Sequence, residues 1–180
     1  MRRAAAFGAG IRILRQDAWE TLISFIISQN NTIRNIKAVI SRLCAAYGDA
    51  LGGGFFAFPP AERLAALTAD DLGFLRAGYR AEYIIAAARS AAGGELDFAA
   101  LSAMTDVDLT RELMKLRGVG LKVASCVALF GFSRTDAFPV DTWMKKALRG
   151  RFPPDFDPSV FSPHSGVAQQ YIFYYERNFL

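Results

Sequence analysis

Histidine and cysteine are nearly missing from these 180 residues: His164 stands alone, and Cys44 and Cys126 are the two thiols. Two cysteines cannot build a disulfide framework, a four-cysteine zinc site or a cysteine-ligated iron–sulfur cluster. One histidine rules out a His-rich metal site and all but excludes His-based acid–base chemistry. No apolar run reaches the roughly 18 residues that span a bilayer; the longest, 22–27 and 123–132, are of core length. Strand-like alternation is nearly absent, as are internal repeats and low-complexity stretches. The chemistry must come from carboxylates, lysines, backbone amides or aromatics.

What the chain does have is enough apolar content, 52%, against 21% charged residues, to build a core. Twenty-one basic and 17 acidic residues leave a net charge of +4, with an isoelectric point near 9.3. That is a mild hint of a polyanionic partner. The start, Met1-Arg-Arg-Ala-Ala-Ala-Phe7, is Arg-rich but lacks the serines and length of a transit peptide, and runs straight into the patterned Ile11–Leu14. The chain is therefore expected to be intracellular, without membrane association.

The pattern is helical almost throughout. Asp17-Ala-Trp-Glu20 is a capping box, with Glu20 expected to reach back, and opens a helix that is apolar nearly all round and therefore buried. Asn30-Asn31-Thr32 breaks that helix and caps the next, where Ile33, Ile36, Val39, Ile40 and Leu43 recur at helical spacing. Gly52-Gly53-Gly54 and Pro59-Pro60 mark a loop. Thr68–Asp71 and Thr105–Asp108 each cap an amphipathic helix, another runs from about Tyr79 through Ala87 until Gly93-Gly94 ends it, and the four prolines of 152–163 make a surface loop before a last helix over 167–175. The expected class is all-α.

One segment carries chemistry. Residues 109–116 form a helix, Arg117-Gly-Val-Gly120 a tight turn, and 121–130 a second helix. Paired glycines between helices allow positive φ and expose amides at a helix N-terminus, which with the helix dipole hold a phosphate. Alone, such a turn is equally an ordinary helical hairpin. Lys122 sits in the first turn of the second helix, where the dipole disfavours a cation; partly desolvated there, a lysine becomes a neutral nucleophile, and otherwise it is a solvated surface lysine. Asp141, in Pro139-Val-Asp141, is either a helix N-cap or a carboxylate held near that lysine.

Gly118-Val-Gly-Leu-Lys-Val-Ala124, followed by a Pro-containing loop ending at Asp141, resembles the helix-hairpin-helix, Gly/Pro–Asp superfamily of DNA glycosylases. Within it, the chain is similar to the 8-oxoguanine DNA glycosylase/lyases through 7–17, 24–31, 78–83, Phe138-Pro-Val-Asp-Thr-Trp143 and 168–173, which together span nearly its whole length. The resemblance implies two helical lobes with a cleft between them, a helical glycosylase domain over 1–180 with its hairpin at 109–131, and the family's N-terminal antiparallel-sheet domain missing from this chain. It implies that Lys122 attacks C1′ and forms a Schiff base, that Asp141 stabilises the sugar cation, and that β-elimination then nicks the strand. Cys126 and Phe173 would flank the flipped base, Gln169 would read its Watson–Crick edge, and Trp143 would touch sugar or phosphate. Gly118, Val119 and Gly120 would hold the DNA backbone, Tyr79 would wedge the stack, and Asn30 and Arg80 would face the orphaned cytosine. The implied partner is duplex DNA with 8-oxoguanine opposite cytosine, met by a monomer that needs no metal or other cofactor, in the cytoplasm and at the nucleoid if bacterial.

Two positions depart from that pattern. Arg117 stands where a proline is common, and would add a phosphate contact. Asn35 stands where a second cytosine-facing arginine is expected, with Arg34 beside it. Competing readings are a non-catalytic module that only grips phosphates, which has no need of the lysine–aspartate pair, and an endonuclease III-type glycosylase, whose usual four cluster cysteines are not here.

Overall fold

The computed structural model describes residues 1–179. The order is α1 (Arg2–Phe7), α2 (Ala18–Ser28), α3 (Ile33–Tyr47), β1 (Ala50–Gly52), β2 (Phe55–Phe56), α4 (Ala61–Ala65), α5 (Arg80–Ala92), α6 (Phe98–Ala103), α7 (Asp106–Leu113), α8 (Leu121–Gly131), α9 (Thr142–Arg151) and α10 (Ser165–Phe179). Short 3₁₀ turns lie at Asp70–Leu75 and Pro158–Phe161. Among the described residues no helix is long and apolar enough to cross a membrane.

α2 is central, as its composition requires. Asp17 Oδ1 accepts from the Glu20 amide at 2.8 Å and starts the helix; the expected return bond from the Glu20 side chain does not form. Leu22, Ile23, Ile26 and Ile27 are then fully buried, each contributing on the order of 1.5–3 kcal/mol of hydrophobic stabilisation. α2 packs against α8, α3 and α5. Together with α7 these helices enclose the larger of two cores, which includes Leu43, Leu64, Ile84, Leu109, Leu113 and Val127. The smaller core gathers Met144, Ala147 and Ile172 from α9 and α10, rimmed by Phe138, Val140, Phe152, Phe161 and Phe173. Two helical lobes with a cleft between them result.

Several local expectations change. Residues 50–56 form a short antiparallel hairpin, with Gly52, Gly53 and Gly54 all at positive φ, where a plain loop was expected. Thr68 and Asp71 do hydrogen-bond each other, but open a 3₁₀ turn, because Gly73 and a left-handed Arg76 stop the helix at once. The helix expected over 109–116 starts earlier, at Asp106, since Thr105 accepts from the Asp108 amide, and ends at Leu113. α10 extends beyond 167–175 at both ends, while α5 stops at Gly93 as expected.

Candidate active site

The hairpin is built from α7, the 114–120 turn and α8. Gly118 has φ +82°, and a Cβ there would drive into the Tyr83 ring, so both backbone and space require glycine. Val119 is buried and its amide donates to the Leu116 carbonyl at 3.0 Å, pinning the turn. Gly120 differs: its φ is an ordinary −95°, and a Cβ would meet nothing within 4 Å. The fold does not need a glycine at 120. What its small size does is leave the start of α8 uncovered, where no side chain caps the amides. Arg117 turns away, paired with Glu82 at 2.7 Å and lying over Tyr83.

Lys122 and Cys126, one turn apart on α8, face a cavity of about 200 Å³ between the lobes. Asp141, Gln169 and Phe173 line it from the smaller lobe, so five residues distant in sequence converge there. The Lys122 amine lies 5.1 Å from the centroid of the Phe25 ring. Among the described residues it forms no ion pair, and it hydrogen-bonds the Cys126 side chain beside the cavity. Asp141 is the N-cap of α9: Oδ1 accepts from the Met144 amide at 2.8 Å, while Oδ2 has no hydrogen bond among the described residues. The cap fixes the carboxylate's orientation and leaves one oxygen for other work, so the two sequence readings of Asp141 are compatible. Burial pushes the Cys126 thiol up to about 11; the Lys122 cation opposes that shift and Asp141 adds to it. Gln169, 3% exposed, donates from Nε2 to the Pro139 carbonyl at 3.1 Å and accepts from Gln170 at 2.5 Å.

The cavity opens into a groove of about 970 Å³ that shares Phe25, Lys122, Asp141 and Phe173 with it. Gly120, Trp143, Lys145 and Arg177 line the groove together with residues 28–33. Trp143 is half-buried, with the Lys146 amine 5.1 Å from its ring centroid. Asn30 is exposed on the groove rim at φ +46°. Arg80 is instead 8% exposed. Its guanidinium donates to the carbonyls of Gln29, Asn30 and Ala77, and so shapes the loop that carries Asn30. Tyr79 is half exposed beneath that guanidinium, 4.5 Å from its carbon, and meets the Tyr83 ring edge-on. Neither Tyr79 nor Arg80 lines the groove. Asn35 is engaged locally, its amide donating to the Thr32 cap and its side chain to Asn31 Oδ1, and Arg34 is exposed.

Phe25, Phe130, Pro139 and Gln170 also line the cavity, and the sequence did not single them out. Phe25 and Phe130 stack at 5.6 Å and form its apolar floor on the larger lobe. On a helix apolar all round, a half-buried Phe25 carries no mark of its own. An amine without a counter-ion, a carboxylate with a free oxygen and an aromatic wall can together attack, and stabilise charge at, an electrophilic carbon.

The sequence pattern described as HhH-GPD superfamily base excision DNA repair protein matches residues 23–154. An N-glycosylase/DNA lyase of Saccharomyces cerevisiae is 37% identical over 158 residues, covering 78% of this chain and 41% of that protein. The N-glycosylase/DNA lyase OGG1 of Arabidopsis thaliana is 34% identical over 177 residues, covering 92% of this chain and 48% of that one. This chain thus spans about half the length of those relatives. An 8-oxoguanine glycosylase/lyase of Clostridium acetobutylicum, solved with double-stranded DNA containing cytosine opposite 8-oxoguanine, superposes with a TM-score of 0.89. It is 39% identical, and the match covers 98% of this chain and 65% of that one.

Proposed function

The chain belongs to the HhH-GPD superfamily of base excision DNA repair proteins, and we propose that within it this protein is a bifunctional DNA N-glycosylase and abasic-site lyase that removes 8-oxoguanine paired with cytosine. The observation that carries the reading is the meeting of Lys122 and Asp141 on one cavity, beside an uncapped helix start that lines the adjoining groove.

A base inside a duplex is out of reach, so the target nucleotide must flip into the cavity at a cost of a few kcal/mol. The open amides of α8, with Lys145 on the groove wall, hold the backbone phosphates without reading sequence. The base enters between the lobes, against Phe173 and the neutral Cys126 thiol, with Gln169 at its edge. The Lys122 amine attacks C1′, the bond from C1′ to the base nitrogen breaks, and the base departs with that electron pair. Asp141 Oδ2 stabilises the positive charge that develops on the sugar. Opening of the sugar ring leaves a Schiff base on Lys122, whose electron-withdrawing character allows loss of a C2′ proton and expulsion of the 3′-phosphate. No metal or cluster enters any step. Trp143 contacts the extruded nucleotide's backbone, Tyr79 fills the gap in the stack, and Asn30 faces the widowed cytosine. The protein works as a monomer inside the cell, in the cytoplasm and at the nucleoid if that cell is bacterial.

The test is borohydride trapping on an 8-oxoguanine:cytosine duplex. The wild-type chain should cross-link, and Lys122→Gln should abolish the cross-link while remaining folded by circular dichroism. Persistent trapping in that variant sinks the assignment. Asp141→Asn should slow base release by about 10²-fold or more with little change in duplex affinity. Equal losses of rate and affinity would reduce Asp141 to a helix cap.

A further inference from the structure

The segment that delivers Asp141 to the cavity is fastened at its upstream end by another carboxylate. Asp136 accepts from the hydroxyls of Ser162 and Ser165, each at 2.5 Å, and from the Ser165 amide at 3.1 Å. Ser165 is the first residue of α10 and is 2% exposed. The flanking bonds run in parallel: the Gly166 amide donates to the Thr135 carbonyl at 2.8 Å, and the Thr135 hydroxyl donates to the Pro163 carbonyl at 2.8 Å. Gly166 has no room for a side chain, because a Cβ there would meet the Ala137 and Thr135 carbonyls. One helical turn further on, Gln169 donates to Pro139.

Residues 135–139 are therefore laced to the first turns of α10 before the chain releases Asp141 to cap α9. The cavity wall made of Pro139 and Asp141, and the wall made of Gln169 and Phe173, behave as one piece, facing Lys122, Cys126 and Phe25 across the cleft. The smaller core behind this piece is thin, so hydrogen bonds rather than packing must hold its register. The serine hydrogen bonds hold the Asp136 carboxyl below the usual carboxylate range, as expected for an acceptor that keeps its charge.

We infer that Asp136 is a positioning residue for the reaction: it sets the register of the Pro139–Asp141 segment against α10, and so aims the Asp141 carboxylate at the space in front of Lys122. The inference rests on the glycosylase reading for its catalytic consequence, but its structural half can be measured without any activity.

Hydrogen exchange should be compared in the wild type, Asp136→Ala and Asp136→Asn. Asp136→Ala should speed exchange of the Gly166 amide and, at a distance, of the Met144 amide that Asp141 caps, each by about tenfold or more. Amides in the body of α8 should be unchanged. Asp136→Asn keeps an acceptor oxygen and should recover most of the protection. In parallel, Asp136→Ala should slow single-turnover excision of 8-oxoguanine by about tenfold or more, and nick a preformed abasic duplex nearly as fast as wild type, because that reaction has no base to expel. Faster exchange confined to 162–166, with Met144 unaffected, overturns the inference. So does an equal loss on both duplexes. If the wild-type chain neither cross-links nor nicks, the glycosylase reading falls, and exchange at Met144 still decides the role of Asp136. Should Asp136→Ala not fold, the Ser162→Ala/Ser165→Ala pair removes the two 2.5 Å bonds and carries the same test.

Discussion

The two cores of this molecule are unequal, and the cavity between them draws half of its chemistry from each. The larger core encloses α2 and α8 in fully buried leucine, isoleucine and valine, and from its edge come Lys122, Cys126 and the stacked Phe25 and Phe130. The smaller closes around Met144, Ala147 and Ile172 with a rim of half-buried aromatics, and it supports Asp141, Gln169 and Phe173. Under the proposed mechanism the nucleophile sits on the larger side and its electrostatic partner on the thin side, which makes the distance between them the weak coordinate. Stability and catalysis should therefore respond differently to damage on the two sides.

The most severe test compares Leu22→Ala with Met144→Ala, both at fully buried positions. Leu22→Ala should cost about 3–5 kcal/mol and lower the melting temperature by about 10 °C. Met144→Ala should shift global melting less and instead open α9 locally, seen as faster hydrogen exchange over 142–151 and slower excision. Identical melting and exchange in the two variants would make the cores a single cooperative unit and end the comparison. A second test asks which side governs the cavity's electrostatics. With its thiol raised from about 9 to about 11 by burial, Cys126 should react with iodoacetamide at pH 8 about 100-fold more slowly in the folded chain than in the unfolded one. Lys122→Gln removes the opposing cation and should slow the reaction further. Labelling as fast as in the unfolded chain would mean that water and the Lys122 charge outweigh burial.

The hairpin offers a finer contrast within the larger lobe. Gly118→Ala forces a side chain into Tyr83 at a left-handed φ, and should cost about 1–3 kcal/mol in a thermal melt. Gly120→Val meets neither obstacle, and should change stability by less than about 1 kcal/mol. It should nevertheless weaken binding to damaged and undamaged duplexes alike, by covering the start of α8, and flatten the dependence of affinity on salt. A defect confined to damaged DNA would show the hairpin reading the lesion instead of gripping phosphate.

Helix starts were legible in the sequence where a short polar cap precedes a longer helix, as at Asp17, Thr32, Thr105 and Asp141, whereas Asp97, which caps the short α6, was not read. The Lys122–Asp141 frame was read through its resemblance to the glycosylases, because on local geometry alone the turn, the lysine and the capping aspartate each kept an ordinary structural reading. Elements of six residues or fewer, α1, α4 and α6, were not seen, since two turns are too short to display a helical period. The 50–56 hairpin was missed for the same reason, its strands being three and two residues long. Phe25 and Phe130 read as core because hydrophobicity does not say whether a ring faces packing or a cavity. Asp136 read as nothing at all: its partners lie 26 and 29 residues away, and only the folded chain brings them within reach.

Arg80 has a consequence for how firmly the loop at 29–30 is held. A guanidinium owns five N–H donors, and four of them are already committed to the carbonyls of Gln29, Asn30 and Ala77. Any newcomer that reached this buried side chain would find one donor to spare, and a second bond would have to be taken from the loop that presents Asn30. What the newcomer gained, the loop would give up, so the shape of the loop and the saturation of Arg80 are two faces of one arrangement.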